Sequence, residues 1–117
     1  LRAAEPQHLV AFAQANRIKS QMNAVRRELR QNGMGRAADL LEDPDEFVAR
    51  MRLMGFLTAI KQVRADRAVD LMRRARLSSR MLNRRIGPLP LNAARRNEGE
   101  LTERQRRELA RVLRSRA

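Results

Sequence analysis

Three groups of side chains in this chain of 117 residues could do chemistry. The first is acidic: Asp39, Glu42, Asp43, Asp45 and Glu46 crowd one short stretch, and paired carboxylates can move protons or hold a hard cation. No histidine, candidate nucleophile or glycine-rich loop lies beside them, so helix capping is the reading they support. The second is soft: Met51, Met54 and Met72 could offer thioethers to a metal, yet methionines at helical spacing fill gaps in a core. The third is cationic. Residues 61–96 hold eleven basic side chains against only Asp66 and Asp70, within a whole-chain net charge of +13. Cations in such excess attract phosphates and polyanions. His8 is the single histidine, so no acid–base pair forms around it, and neither a metal site nor a cofactor is expected.

Composition narrows the partner. A pI near 11.9 calls for a polyanion more than for a small substrate, and 43% apolar content supports one domain with a modest core. With no cysteine, disulfides and thiolate metal sites are excluded, in keeping with a reducing cytoplasm. No apolar run approaches the roughly 18 residues that cross a bilayer. The three aromatics, Phe12, Phe47 and Phe56, all sit on apolar stripes, which leaves no platform for stacking single-stranded bases. Lys19 and Lys61 are the only lysines; every other basic residue is arginine.

The elements that must position these cations are all helical. Leu53, Phe56, Leu57 and Ile60 fall at i, i+3, i+4 and i+7, as do Ala68, Leu71, Met72 and Ala75, so each set makes one helix face. Between them residues 60–66 are too short and too irregular for a strand, which predicts two helices meeting at a tight corner. Upstream, Pro6 suits a first helical turn, and Ala11, Ala15, Ile18, Met22, Val25 and Leu29 form the stripe of a long helix whose end before about residue 12 should fray. Asn32, Gly33 and Gly35 break it, and residues 36–42 form a short helix burying Ala37, Leu40 and Leu41. Asp43 is expected to cap the next helix, with Pro44 at its first position and Phe47, Val48 and Met51 buried. Gly55 suits a close backbone approach or a slight kink.

Past Ala75 the spacing predicts a second turn and a short helix capped by Ser78, anchored by Met81, Leu82 and Ile86, and ended by Gly87 and Pro88. Residues 89–99 read as a loop. Thr102 and Gln105 have capping-box spacing, and Gln105, Leu109, Val112 and Leu113 make the inner stripe of a last helix. Its outside should be basic through Arg104, Arg106, Arg107, Arg111, Arg114 and Arg116. The chain thus divides into a basic amino-terminal helix or arm, 1–33, and a helical domain, 34–117, with its helical corner at about 53–86.

Three sets of exposed cations and hydroxyls follow as candidate phosphate contacts. Lys61, Gln62, Arg64 and Arg67 belong to the first corner; Arg76, Ser78, Ser79, Arg80, Arg84 and Arg85 to the second; and Arg17, Lys19, Arg26, Arg27 and Arg30 to the first helix as a separate contact. Nothing there marks a recognition helix for reading bases, so binding that depends little on sequence is expected.

These residues resemble the actinobacterial, mycobacterial-type integration host factor family. The likeness runs from the basic first helix at Arg26 through the Asp43 to Glu46 helix start and the Met51 to Ile60 stripe. It continues through Val63, Arg67, Ala68, Leu71, Met72 and Leu77, and resumes at Gln105, Arg106, Arg107, Glu108 and Leu109. About three quarters of the chain is covered, and a phage-borne or divergent member would fit. The resemblance implies an all-α bundle with a helix-two-turns-helix motif, double-stranded DNA binding and bending, nucleoid association, and support of a phage integrase complex. In that family the first turn is glycine-rich and brings its amides to phosphate; here Lys61, Gln62 and Arg64 stand around Val63 instead. Residues 88–98 look like an insertion.

Rival functions stay open at this point. Structured RNA is the nearest alternative, because ribosomal relatives of the motif use similar corners. Glycosylase relatives would imply an enzyme, but Leu1 is not a proline nucleophile and a cysteine-free chain has no zinc finger. A membrane surface or a protein partner could also meet the basic first helix, although a membrane role is not expected. A monomer suits this size and charge.

Overall fold

Apolar residues at three- and four-residue intervals build an all-α bundle, seen in a computed structural model that describes residues 7–89 and 99–116, with side chains from residue 13 onward. Helix α1 spans Gln7–Glu42, α2 Glu46–Arg50, α3 Leu53–Ala59 and α4 Ala65–Arg74; a 3₁₀ turn follows at Ser79–Asn83, and α5 spans Glu103–Arg116. No strand forms among the described residues. Pro6 and residues 90–98 of the expected loop lie outside them, while the backbone of residues 7–12 is helical.

The break at Gly33 is a kink. Gly33 takes φ 75° and ψ −156°, which a helix cannot continue through, so the range Gln7–Glu42 is two helices joined at this kink, the second resuming at once, as the break in the sequence predicts. Exposed Arg36 reaches back over the kink to pair with Glu28. Packing grows along α1: Ala15 is exposed, Ile18 and Met22 are half-buried, and Val25, Leu29, Ala37, Ala38, Leu40 and Leu41 lie in the core. Among the described side chains the predicted stripe therefore packs only in its carboxyl-terminal half; the Ala11 side chain lies outside them.

Asp45, not Asp43, caps α2. Its Oδ1 accepts from the amides of Phe47 and Val48, both at 2.9 Å, while the Asp43 amide still donates to Asp39 at 3.1 Å as α1 ends. Pro44 consequently precedes the cap instead of opening the helix. Val48 and Met51 are buried and Phe47 is half-buried. Helix α3 buries Leu53, Phe56 and Leu57 completely, each removal from water stabilising the fold by about 2 kcal/mol. Gly55 has neither a close neighbour nor a kink: an added Cβ there would meet no atom within 4 Å.

Backbone pairings hold the second half to the first. Segment 84–87 runs between segments 49–53 and 99–101, with Leu53 N donating to Arg84 O, Ile86 N to Met51 O, Gly87 N to Ala49 O, Arg85 N to Gly99 O and Leu101 N to Arg85 O, all between 2.9 and 3.1 Å. These isolated bridges are too short to be strands. Beyond them the capping box forms in full: Gln105 N donates to Thr102 Oγ1 at 3.1 Å, and Thr102 N to Gln105 Oε1 at 2.9 Å. Helix α5 then packs along α1, and Leu109, Ala110 and Leu113 are fully buried.

Arg106 departs from the expected basic outside of α5. At three, four and seven residues before Leu109, Ala110 and Leu113 it shares their inward face, and it is 7% exposed. Its Nη1 donates to Leu101 O at 3.1 Å and more weakly to Ile86 O at 3.4 Å, while Nε has no partner.

Candidate nucleic-acid interface

The first corner is turned inside out by its apolar residues. Ile60 and Val63 are buried, and hydrogen bonds from Ile60 N to Leu57 O at 3.1 Å and from Val63 N to Ile60 O at 3.0 Å close the turn. Lys61 and Gln62 between them have no room inside and stand in solvent. Gln62 adopts φ 68°, a left-handed conformation that favours glycine. Arg64, also exposed, occupies the cap position of α4, and because a guanidinium has no acceptor for the free amides, the positive pole of the helix is left without a cap from that residue. Asp66 tempers that pole, its Oδ1 accepting from Arg67 N at 2.9 Å. The Arg67 side chain is exposed one position further on.

An open depression of about 400 Å³ joins this corner to α1. Arg30, Lys61, Gln62 and Arg64 stand around it, and Ile60 and Val63 form apolar parts of its wall. Sequence reasoning assigned the first helix a separate contact; the structure instead brings Arg30 to the corner. The adjacent buried Leu29 is the one sequence signal for this, since it sets where α1 meets the bundle.

The second corner lies at the other end of α4, about 15 Å away for a ten-residue helix. Leu77 N donates to Met72 O and Arg76 N to Arg73 O, both at 2.9 Å, a Schellman ending that puts Arg76 at φ 61° where glycine is usual. Ser78 Oγ accepts from Arg80 N at 3.2 Å, as its capping role predicts. Ser79, Arg80 and Arg84 are exposed. Arg85 differs: it is half-buried and its guanidinium donates to Arg50 O, which ties two segments together.

On α1, Lys19, Arg26 and Arg30 lie within about 40° of one another around the helix axis, on one flank of the buried stripe. That line runs into the depression. Arg17 takes the opposite flank with Glu28, and Arg27 points away from the core; both arginines are exposed. Arg26 Nη1 donates to Asn23 Oδ1 at 2.8 Å.

Carboxylates are spent elsewhere. Arg114 of α5 pairs with Asp39 at 2.7 Å and also with Glu42, Arg107 pairs with Glu103 at 2.8 Å, Arg111 with Glu108 at 3.0 Å and Arg74 with Asp70 at 3.0 Å. The hydrogen bond from Arg74 holds the exposed Asp70 carboxyl below its ordinary range, with nearby arginine charges adding to the effect. Among the described residues no carboxylate pairs with Arg30, Lys61, Arg64, Arg76, Arg80 or Arg84. The acids thus neutralise the α5 side and the carboxyl end of α1, leaving the corner cations uncompensated. The described residues contain no cluster of three metal-ligating side chains, and none of their helices is long and apolar enough to cross a membrane.

The architecture is a small all-α bundle with a long amino-terminal helix and a basic surface at the ends of α4. Comparison of the chain with family models, curated proteins and solved structures finds no match.

Proposed function

We propose that this protein binds double-stranded DNA without catalysing a reaction, gripping phosphates with little dependence on sequence and acting as an architectural, nucleoid-associated factor. One observation carries the reading: Arg30, Lys61 and Arg64 line one open depression at the amino end of α4, and among the described residues none of the three is paired with a carboxylate, Asp66 nearby bonding only the Arg67 amide. An anion arriving there gains several charge-assisted contacts without first breaking an ion pair. Arg76, Ser79, Arg80 and Arg84 offer a second anchor, whereas Arg85 serves the fold. The likeness to actinobacterial integration host factors extends the proposal to compaction of the chromosome and support of recombination.

Binding to a random duplex measured across a salt series tests it. With about six phosphates neutralised, log K falls against log salt with a slope near −5, and a Lys61→Ala/Arg64→Ala variant of unchanged helicity shows a slope shallower by about 2. An affinity indifferent to salt, or a clear preference for folded RNA over duplex at matched salt, would overturn the reading.

A further inference from the structure

The projecting half of α1 has a feature that phosphate binding does not use. Asn16, Ser20, Asn23 and Arg27 recur at i, i+4, i+7 and i+11, which aligns them along the helix face opposite the buried stripe, and all four are exposed. From residue 7 to residue 27 the helix has no acid at all. Lys19 and Arg26 flank the ridge on one side and Arg17 flanks it on the other. Among the described residues no other element covers this face.

We infer that this outer face of α1 seats in the major groove of a duplex, the ridge meeting base edges while the flanking cations meet the phosphates of the two strands. The inference rests on the duplex-binding reading above and adds a mode of recognition to it. Dimensions fit: an α-helix with side chains is about 10–12 Å across, and the major groove of B-DNA is about 12 Å wide. The ridge from residue 16 to residue 27 is about 16 Å long, enough to pass roughly five base pairs. Its chemistry also fits. Asparagine pairs with adenine, arginine with guanine, and serine with either, through groups exposed in that groove. The Arg26 bond to Asn23 Oδ1 holds the Asn23 amide in place and leaves its N–H groups free to donate. Charge settles the occupant: a second copy of so basic a helix would be repelled, whereas a groove walled by phosphates complements cations on both flanks. The same line of cations continues through Arg30 to the depression beside Lys61 and Arg64, so one duplex can occupy both surfaces.

Dimethyl sulfate protection tests this, because guanine N7 lies in the major groove. The probe is a pool of duplexes with a randomised central segment, carried through rounds of selection on the full chain. The expected result is enrichment of a motif of about five base pairs, preferred about tenfold over scrambled duplex, with its guanine N7 atoms protected. An Asn16→Ala/Ser20→Ala/Asn23→Ala variant changes no charge and raises helix propensity, so it should fold. It should lose the motif preference while keeping the salt slope of the parent, and guanine N7 protection should persist because Arg27 and the flanking cations are retained. Salt-dependent binding by the parent with N7 reactivity unchanged, or with no enriched motif, overturns the inference and leaves the duplex-binding proposal standing. Failure of the parent to bind any duplex overturns both.

Discussion

Gln62 and Arg106 are the residues at which local preference and tertiary context disagree most. Gln62 keeps a left-handed backbone because Ile60 and Val63 on either side are drawn into the core, and the chain between them has only a tight turn in which to reverse. Replacing it with glycine removes the Cβ clash, so Gln62→Gly should raise stability by about 1 kcal/mol in urea denaturation and leave all the corner cations in place. Arg106 was legible in the sequence only as one more basic residue on a basic helix. Its burial follows from its phase with Leu109 and Leu113, and its guanidinium supplies donors to the Leu101 and Ile86 carbonyls where two segments cross. Arg106→Ala should cost about 1–3 kcal/mol by leaving those carbonyls unpaired. Arg106→Met, which keeps the bulk and removes a buried charge with no anion beside it, should cost less. Equal losses in the two variants would show that filling the space is of no consequence there.

Among the elements, α1 shows its break where the sequence marks one. Asn32, Gly33 and Gly35 mark an ending, yet only Gly33 leaves the helical region, and Ala37, Ala38 and Leu41 beyond it are needed by the same core as Leu29. Burial on both sides of the kink packs the two helical segments into one core. Gly33→Ala should therefore destabilise by about 1–3 kcal/mol, because its φ and ψ suit glycine alone. Gly35→Ala, at a helical position with open space around it, should stabilise by about 0.5–1 kcal/mol. The start of α2 separates two neighbouring acids in the same way. Asp45→Ala should cost about 1 kcal/mol by melting of the whole chain, and Asp43→Ala little, since only Asp45 bonds the first free amides. The stripes of α3 and α4 were fully readable because helical period and burial coincide in them, and that of α5 was readable in its apolar residues but not in Arg106. The crossing of segments 49–53, 84–87 and 99–101 was not, because its hydrogen bonds join residues 14 to 38 positions apart and leave no repeat in the sequence.

At the scale of the whole molecule, the cations form two clusters at the ends of α4 with a projecting helix beside the first, on a body 59 × 31 × 22 Å in extent. Separated anchors on a rigid body favour a curved duplex when the added contacts offset an elastic cost of about 1–6 kcal/mol. A duplex labelled at both ends should show higher energy transfer on binding, and a variant with Arg80→Ala and Arg84→Ala should bind with less bending; unchanged transfer in the parent would rule the bend out. Sequence alone determined the all-α class, the stripes of the packed helices and the surplus of positive charge, because these depend on residue type and on spacings within a few turns of helix. Tertiary structure alone decided which cations remain available. Ion pairs, buried carbonyls and the meeting of Arg30 with Lys61 and Arg64 depend on distances between residues far apart in the chain, and those distances exist only once the core has set the helices against one another.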